Sequence, residues 1–161
     1  MPFKLIITLL ISLLFTFSSI AKANEDLADN FSLMDIQTNN VVQLSHYQGK
    51  VIYLDFWASW CSSCAKALPL FSRWQNNFGE DFVVISINVD EDKLNGILMA
   101  KKLALTYPVA YDGDLKVASL YNVKALPTSF IINKRGRIVY RHLGFKQQDV
   151  DKLVEIIHSL L

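Results

Sequence analysis

Apolar and polar positions along the chain switch between two periods, and the switches divide it into elements. "KVIYLDFWA", residues 50–58, is a run of β-branched and aromatic residues in which Asp55 is the one interior charge. Such a run reads as a buried strand. "CSSCAKALPLFSRWQNNFG", residues 61–79, then places Leu68, Phe71, Trp74 and Phe78 at three- and four-residue steps and stops at Gly79. That spacing predicts a helix. Pro69 lies inside it and is expected to kink it. Cys61 therefore falls at a strand-to-helix junction, on the first turn of the helix.

The alternation continues. "DFVVISINVD" predicts a second strand, "DKLNGILMAKKLAL" a helix, and "YPVAYDGD" a short extended piece ending in a turn. "LKVASLYNV" predicts another helix, and "PTSFIINKRGRIVYRHLG" a hairpin turning at Lys134 to Arg137. "QQDVDKLVEIIHSLL" closes the chain as an amphipathic helix. Ahead of all this, "FSLMDIQTNNVVQLSHYQGK" predicts a small hairpin turning at Asn39-Asn40. Mixed βαβ and ββα units point to an α/β domain whose central sheet has helices on both faces.

The amino terminus does not belong to that pattern. Lys4 is followed by an apolar run from Leu5 to Phe17 and then by Ala21-Lys22-Ala23. This is the layout of a secretory signal peptide, residues 1–23, cleaved after Ala23. A retained membrane anchor is the alternative, because the run nears the lower limit for spanning a bilayer. No Cys stands at the junction, which argues against a lipoprotein. The expected location is a bacterial periplasm, with residues 24–161 forming one domain. Loss of Lys4 and Lys22 leaves fourteen cations against fifteen acids, a net charge of −1. With no basic cluster, nucleic acid is not an expected partner.

An exported chain can use its cysteines oxidised, and this one has only two, Cys61 and Cys64. A bridge across two intervening residues closes too small a loop to restrain the unfolded chain much. Structural zinc needs four ligands, and His46, His142 and His158 are scattered singly, so no metal or other cofactor is expected. Redox chemistry is what remains for the pair.

"VIYLDFWASWCSSC", followed some sixty residues later by "YNVKALPTSFIINKRGRIV", resembles the thioredoxin fold. More narrowly, the chain is similar to the exported TlpA-like thiol-disulfide oxidoreductases, which include the reductases of cytochrome c maturation. The resemblance covers nearly all of residues 24–161, including the leading β-hairpin extension. It implies a reductase of protein disulfides, recharged by a membrane electron donor and cycling Cys61 and Cys64 between dithiol and disulfide. A dedicated cytochrome c maturation reductase, or a non-redox binding module or chaperone on the same fold, is the alternative. A disulfide-forming oxidase would need an inserted helical domain, for which there is no room.

Residue by residue, the attacking species in such chemistry is a thiolate. A helix N-terminus lowers a thiol's pKa, so Cys61 is the expected nucleophile and Cys64, deeper in, the resolving thiol. The resemblance implies a cis Leu126–Pro127 bond facing the pair, with Leu126 offering backbone groups to substrate; a trans Pro opening a strand is the alternative. Asp55 is costly to bury ionised, so its pKa should rise. The resemblance makes it the acid that takes and returns the proton of Cys64; a purely structural Asp is the alternative. Many TlpA-like proteins have Asn there and a Glu on the helix, where this chain has Ala67. Thioredoxins place a Lys near the Asp, where Ser86 aligns. Trp60 is expected to be an exposed apolar rim for partners, and Trp57, Trp74 and Phe78 core. Ser62-Ser63 replaces the usual pair ending in Pro, putting two hydroxyls near the thiolate.

Overall fold

The computed structural model describes residues 27–161; the expected signal peptide lies outside the described residues. Strands β1 (Ser32–Met34) and β2 (Val41–Gln43) form a small antiparallel hairpin. The main sheet contains β3 (Val51–Trp57), β4 (Phe82–Asn88), β5 (Val109–Tyr111), β6 (Thr128–Ile132) and β7 (Ile138–Leu143) in the order β5-β4-β3-β6-β7. The β5, β4 and β3 strands run parallel, and β6 and β7 add antiparallel. Helices α1 (Ser62–Asn77), α2 (Lys93–Lys102), α3 (Lys116–Leu120) and α4 (Val150–Leu160) connect and close them. This is the thioredoxin fold with an amino-terminal hairpin.

Every residue of β3 is buried, because both faces of the strand are covered. Tyr53 and Trp57 pack with Leu68, Phe71 and Trp74 of α1, Ala100 of α2, and Leu153 and Ile157 of α4. Ile52, Leu54 and Phe56 face the other layer, built from Val117, Ala118 and Tyr121 around α3 and from Phe31, Val42 and Leu44 of the hairpin region. The period-2 alternation of β3 thus splits the core in two.

Several elements are shorter than the periodicity predicts, for backbone reasons. The α2 helix stops at Lys102, where Ala104 turns left-handed (φ 49°) and Leu105 folds back into the core. The α3 helix has only five residues and is followed by left-handed Asn122, a common way to end a helix. The hairpin turn is wider than a two-residue turn at Asn39-Asn40. Asp35 organises it, accepting from the N–H groups of Gln37 (2.7 Å) and Thr38 (2.8 Å), and it also accepts from Val109 N–H (2.9 Å), which moors the hairpin to β5. The α1 helix runs through Pro69, and Tyr107 donates to the Leu68 carbonyl at 3.1 Å.

Gly96 lets α2 lie against β4: a Cβ there would collide with the Asn88 carboxamide. Gly96→Ala should therefore destabilise the domain. Overpacking of roughly 1–3 kcal/mol outweighs the ~1 kcal/mol gained in helix propensity. Urea unfolding checks this; an unmoved midpoint would mean that Asn88 gives way freely.

Candidate active site

The β3 strand ends at Trp57, and Ala58, Ser59 and Trp60 carry the chain to Cys61, the N-cap of α1. The sulfur of Cys61 does what a capping oxygen usually does, accepting the Cys64 N–H at 3.2 Å. Cys61 and Cys64 are joined in a disulfide, with Cα atoms 5.2 Å apart. The Ser63 hydroxyl lies 3.5 Å from Cys61 Sγ, while Ser62 is exposed. Cys61 keeps a 6% exposed edge and Cys64 none. Trp60 beside it is 72% exposed, whereas Trp57 is wholly buried and donates to Ser86 Oγ at 3.2 Å.

Asp55 is buried on β3 with the parity of Tyr53 and Trp57, on the face that α1 covers. Its neighbours in register are Ser86 on β4 and Ser129 on β6. Oδ1 accepts from Ser129 Oγ at 2.8 Å, and Ser129 Oγ in turn accepts from the Tyr53 hydroxyl at 2.9 Å. Oδ2 is buried with no hydrogen-bond partner. Burial pushes the Asp55 carboxyl up to about 8, against the opposing pull of the Ser129 hydrogen bond. At neutral pH in the disulfide form it is mostly a neutral acid.

The Leu126–Pro127 bond is cis. Phe56 pairs with Thr128, so Pro127 reaches the level of Trp57, at the end of the sheet from which Cys61 departs. Pro127 is buried and Leu126 half-buried. Ala67 is buried in the core, so α1 supplies no acid at that position.

Two features escape a reading of the sequence alone. Asp90, just past β4, is buried and accepts from Ser59 N–H (3.0 Å), the Ser59 hydroxyl (2.9 Å) and the Asn88 amide (2.7 Å). It pins the loop that presents Trp60 and Cys61. The other is the Tyr53–Ser129 hydroxyl chain onto Asp55. The only sequence signal for either is a polar residue in or beside an apolar strand, and that does not name a partner.

The Redoxin family model matches residues 22–157. The chain belongs to the Redoxin family. It is 31% identical to the thiol-disulfide oxidoreductase ResA of Halalkalibacterium halodurans over 86% of this chain and 79% of that protein. It is 32% identical to the ResA of Geobacillus kaustophilus over 81% of this chain and 75% of that protein. Among solved structures, the Chlorobium tepidum protein described as a thiol:disulfide interchange protein DsbE superposes with a TM-score of 0.81 at 33% identity, covering 84% of this chain and 96% of that one. The exposed lipoprotein thioredoxin of Streptococcus pneumoniae gives 0.69 at 32% identity, over 82% and 100%. With the Cys61–Cys64 pair intact, this Redoxin-family chain is a thiol-disulfide oxidoreductase.

The raised pKa of Asp55 makes stability depend on pH. The native state binds this proton more tightly than the unfolded chain does, so its contribution is complete below the ordinary value of 3.8 and lost as pH rises through about 8. The full difference is on the order of 5 kcal/mol. Asp55→Asn should gain on wild type steadily from pH 4 to 8 when both disulfide forms are unfolded in urea. Parallel pH curves for the two proteins would refute the buried acid.

Proposed function

We propose that the protein is an exported reductase of protein disulfides, with Cys61 as nucleophile, Cys64 as resolving thiol and Asp55 as its acid–base partner. The observation that carries this reading is the asymmetry of the pair: an edge-exposed cysteine whose sulfur caps a 16-residue helix, and a wholly buried one in the layer on the face of β3 that carries Asp55. Backbone N–H groups and the positive helix terminus favour a thiolate at Cys61 in the dithiol form.

In the forward direction the Cys61 thiolate attacks one sulfur of a substrate disulfide. A mixed disulfide forms, and the other substrate sulfur leaves as a thiolate and takes up a proton. Cys64 gives its proton to Asp55 in its ionised form, and its sulfur attacks Cys61 Sγ. The Cys61–Cys64 disulfide closes as the second substrate thiolate departs. The substrate has gained two electrons and the protein has lost two. The disulfide form with a neutral Asp55 is the product state of that sequence. Two electrons from a donor restore the dithiol, with Asp55 returning its proton to Cys64, Cys61 released as the thiolate and the donor's own protons passing to solvent. A membrane thiol carrier suits a protein working outside the cytoplasm. Trp60, Leu126 and Pro127 form the surface against which an extended substrate segment would lie.

Cys64→Ser should accumulate mixed disulfides through Cys61 in cells, and Cys61→Ser few or none, as read by non-reducing electrophoresis. The wild-type dithiol should reduce insulin, with a reduction potential nearer ~−270 mV than ~−120 mV. A strongly oxidising potential, or trapping through Cys64, would defeat the assignment. Export predicts that mass spectrometry of the secreted-side protein finds Asn24 as first residue. Full-length protein confined to the membrane would instead favour a retained anchor in the inner membrane.

A further inference from the structure

The Tyr53–Ser129–Asp55 chain has a direction. Ser129 has one hydroxyl proton, and the Tyr53 O–H pointing at its oxygen occupies the side to which that proton could otherwise turn. The Ser129 proton is thereby committed to Asp55 Oδ1. With Oδ1 accepting, a proton carried by Asp55 itself belongs on Oδ2, the oxygen that no hydroxyl occupies. Tyr53 is wholly buried and burial raises its pKa well above the ordinary phenol value, so it remains a neutral donor wherever Asp55 titrates.

We propose that Ser129, oriented by Tyr53, is a positioning residue that fixes the exchangeable proton of Asp55 on Oδ2 and sets the pH at which Asp55 can exchange it with Cys64. This deepens the reading of Asp55 as acid–base partner, and its second half rests on that reading. On the β4 side the neighbour is Ser86, whose hydroxyl accepts from Trp57. The poise of Asp55 therefore falls to a hydroxyl on the opposite neighbouring strand, β6.

The other groups around Asp55 leave that role to Ser129. On β3 itself Tyr53 is the second ionisable group. Tyr107, from the segment before β5, is buried, and its hydroxyl is committed to the Leu68 carbonyl. From α1 comes Cys64, which in the disulfide carries no proton. Across β6, His142 of β7 continues the row opposite Ser129, with the Tyr140 ring stacked on it. Burial lowers the His142 pKa, and Asp149 and Lys152, at the start of α4, act on it with opposite sign. None of these groups donates a hydrogen bond to Asp55 among the described residues.

Two readouts test the proposal. The carbonyl band of the protonated Asp55 side chain, identified by its absence in Asp55→Asn, is titrated by infrared spectroscopy in the disulfide form. The rate at which Cys64 resolves a preformed mixed disulfide is then measured against pH. Ser129→Ala should move the infrared midpoint upward by about one pH unit, the size expected for one hydrogen bond to a charged group. The resolution profile should shift with it. Tyr53→Phe, which keeps the ring packing, should shift both the same way by less, and Ser129→Thr should restore them. An unmoved midpoint in Ser129→Ala overturns the proposal, as does a Ser129→Thr protein that behaves like Ser129→Ala. If Asp55→Asn resolves normally while Ser129→Ala still moves the infrared midpoint, the acid–base reading of Asp55 fails and the positioning of its proton stands.

Discussion

The structure depends on β3 being buried on both faces while carrying one carboxyl group. A seven-residue strand with no exposed position must have a layer on each side, and that requirement places α1, α2 and α4 on one face and α3 with the hairpin on the other. The same strand cannot hold an ionised Asp without several kcal/mol of desolvation, so in the disulfide form Asp55 is mostly neutral at neutral pH, and its hydrogen bond comes from the strand that lies beside it. Strand order then decides its neighbours: β4 supplies Ser86 and β6 supplies Ser129.

Position and chemistry are linked through the end of that strand. Trp57 is the last residue of β3, its carbonyl accepts from Val89 N–H at 2.9 Å, and the following loop is held by Asp90. Those bonds fix where α1 begins. Because α1 begins at Ser62, Cys61 is its cap and Cys64 lies within its first turn. Cys61 keeps an exposed edge and Cys64 is wholly buried, a difference made by three residues in sequence. The rigidity of the loop thus prepares the asymmetry on which a nucleophile and a resolving thiol depend.

The polar groups near the site fall into two sets with different work. Asp90, with Asn88 and Ser59, holds the loop before Cys61, and Gly96 gives α2 the clearance to lie against Asn88. Tyr53 and Ser129 hold a proton's address on Asp55. Apart from half-buried Ser59 both sets are buried, and there a lost hydrogen bond leaves its partner unsatisfied at a cost of ~1–3 kcal/mol. Asp55 Oδ2 is buried without a hydrogen-bond partner.

The sequence by itself determined the element order, the redox pair and the buried acid. Each of these is written locally: an apolar run, a three-residue helix step, two cysteines at a strand-to-helix junction. The cis Leu126–Pro127 bond was legible only through the family resemblance. The sequence also placed Trp60 outside and Trp57 inside, since one flanks the cysteines and the other ends the strand. Only the tertiary structure decided where helices stop and what the acid touches. The α2 and α3 helices end where Ala104 and Asn122 turn left-handed, which helical spacing alone does not mark. The wide turn after β1 is set by Asp35 reaching Val109, seventy-four positions away. Ser129 is likewise seventy-four positions from Asp55, and Tyr53 meets Ser129 only because β3 and β6 pair in one particular register. Periodicity records which face a residue takes, because that follows from its own strand. Its partner across the sheet follows from strand order and register, which the folded chain sets as a whole.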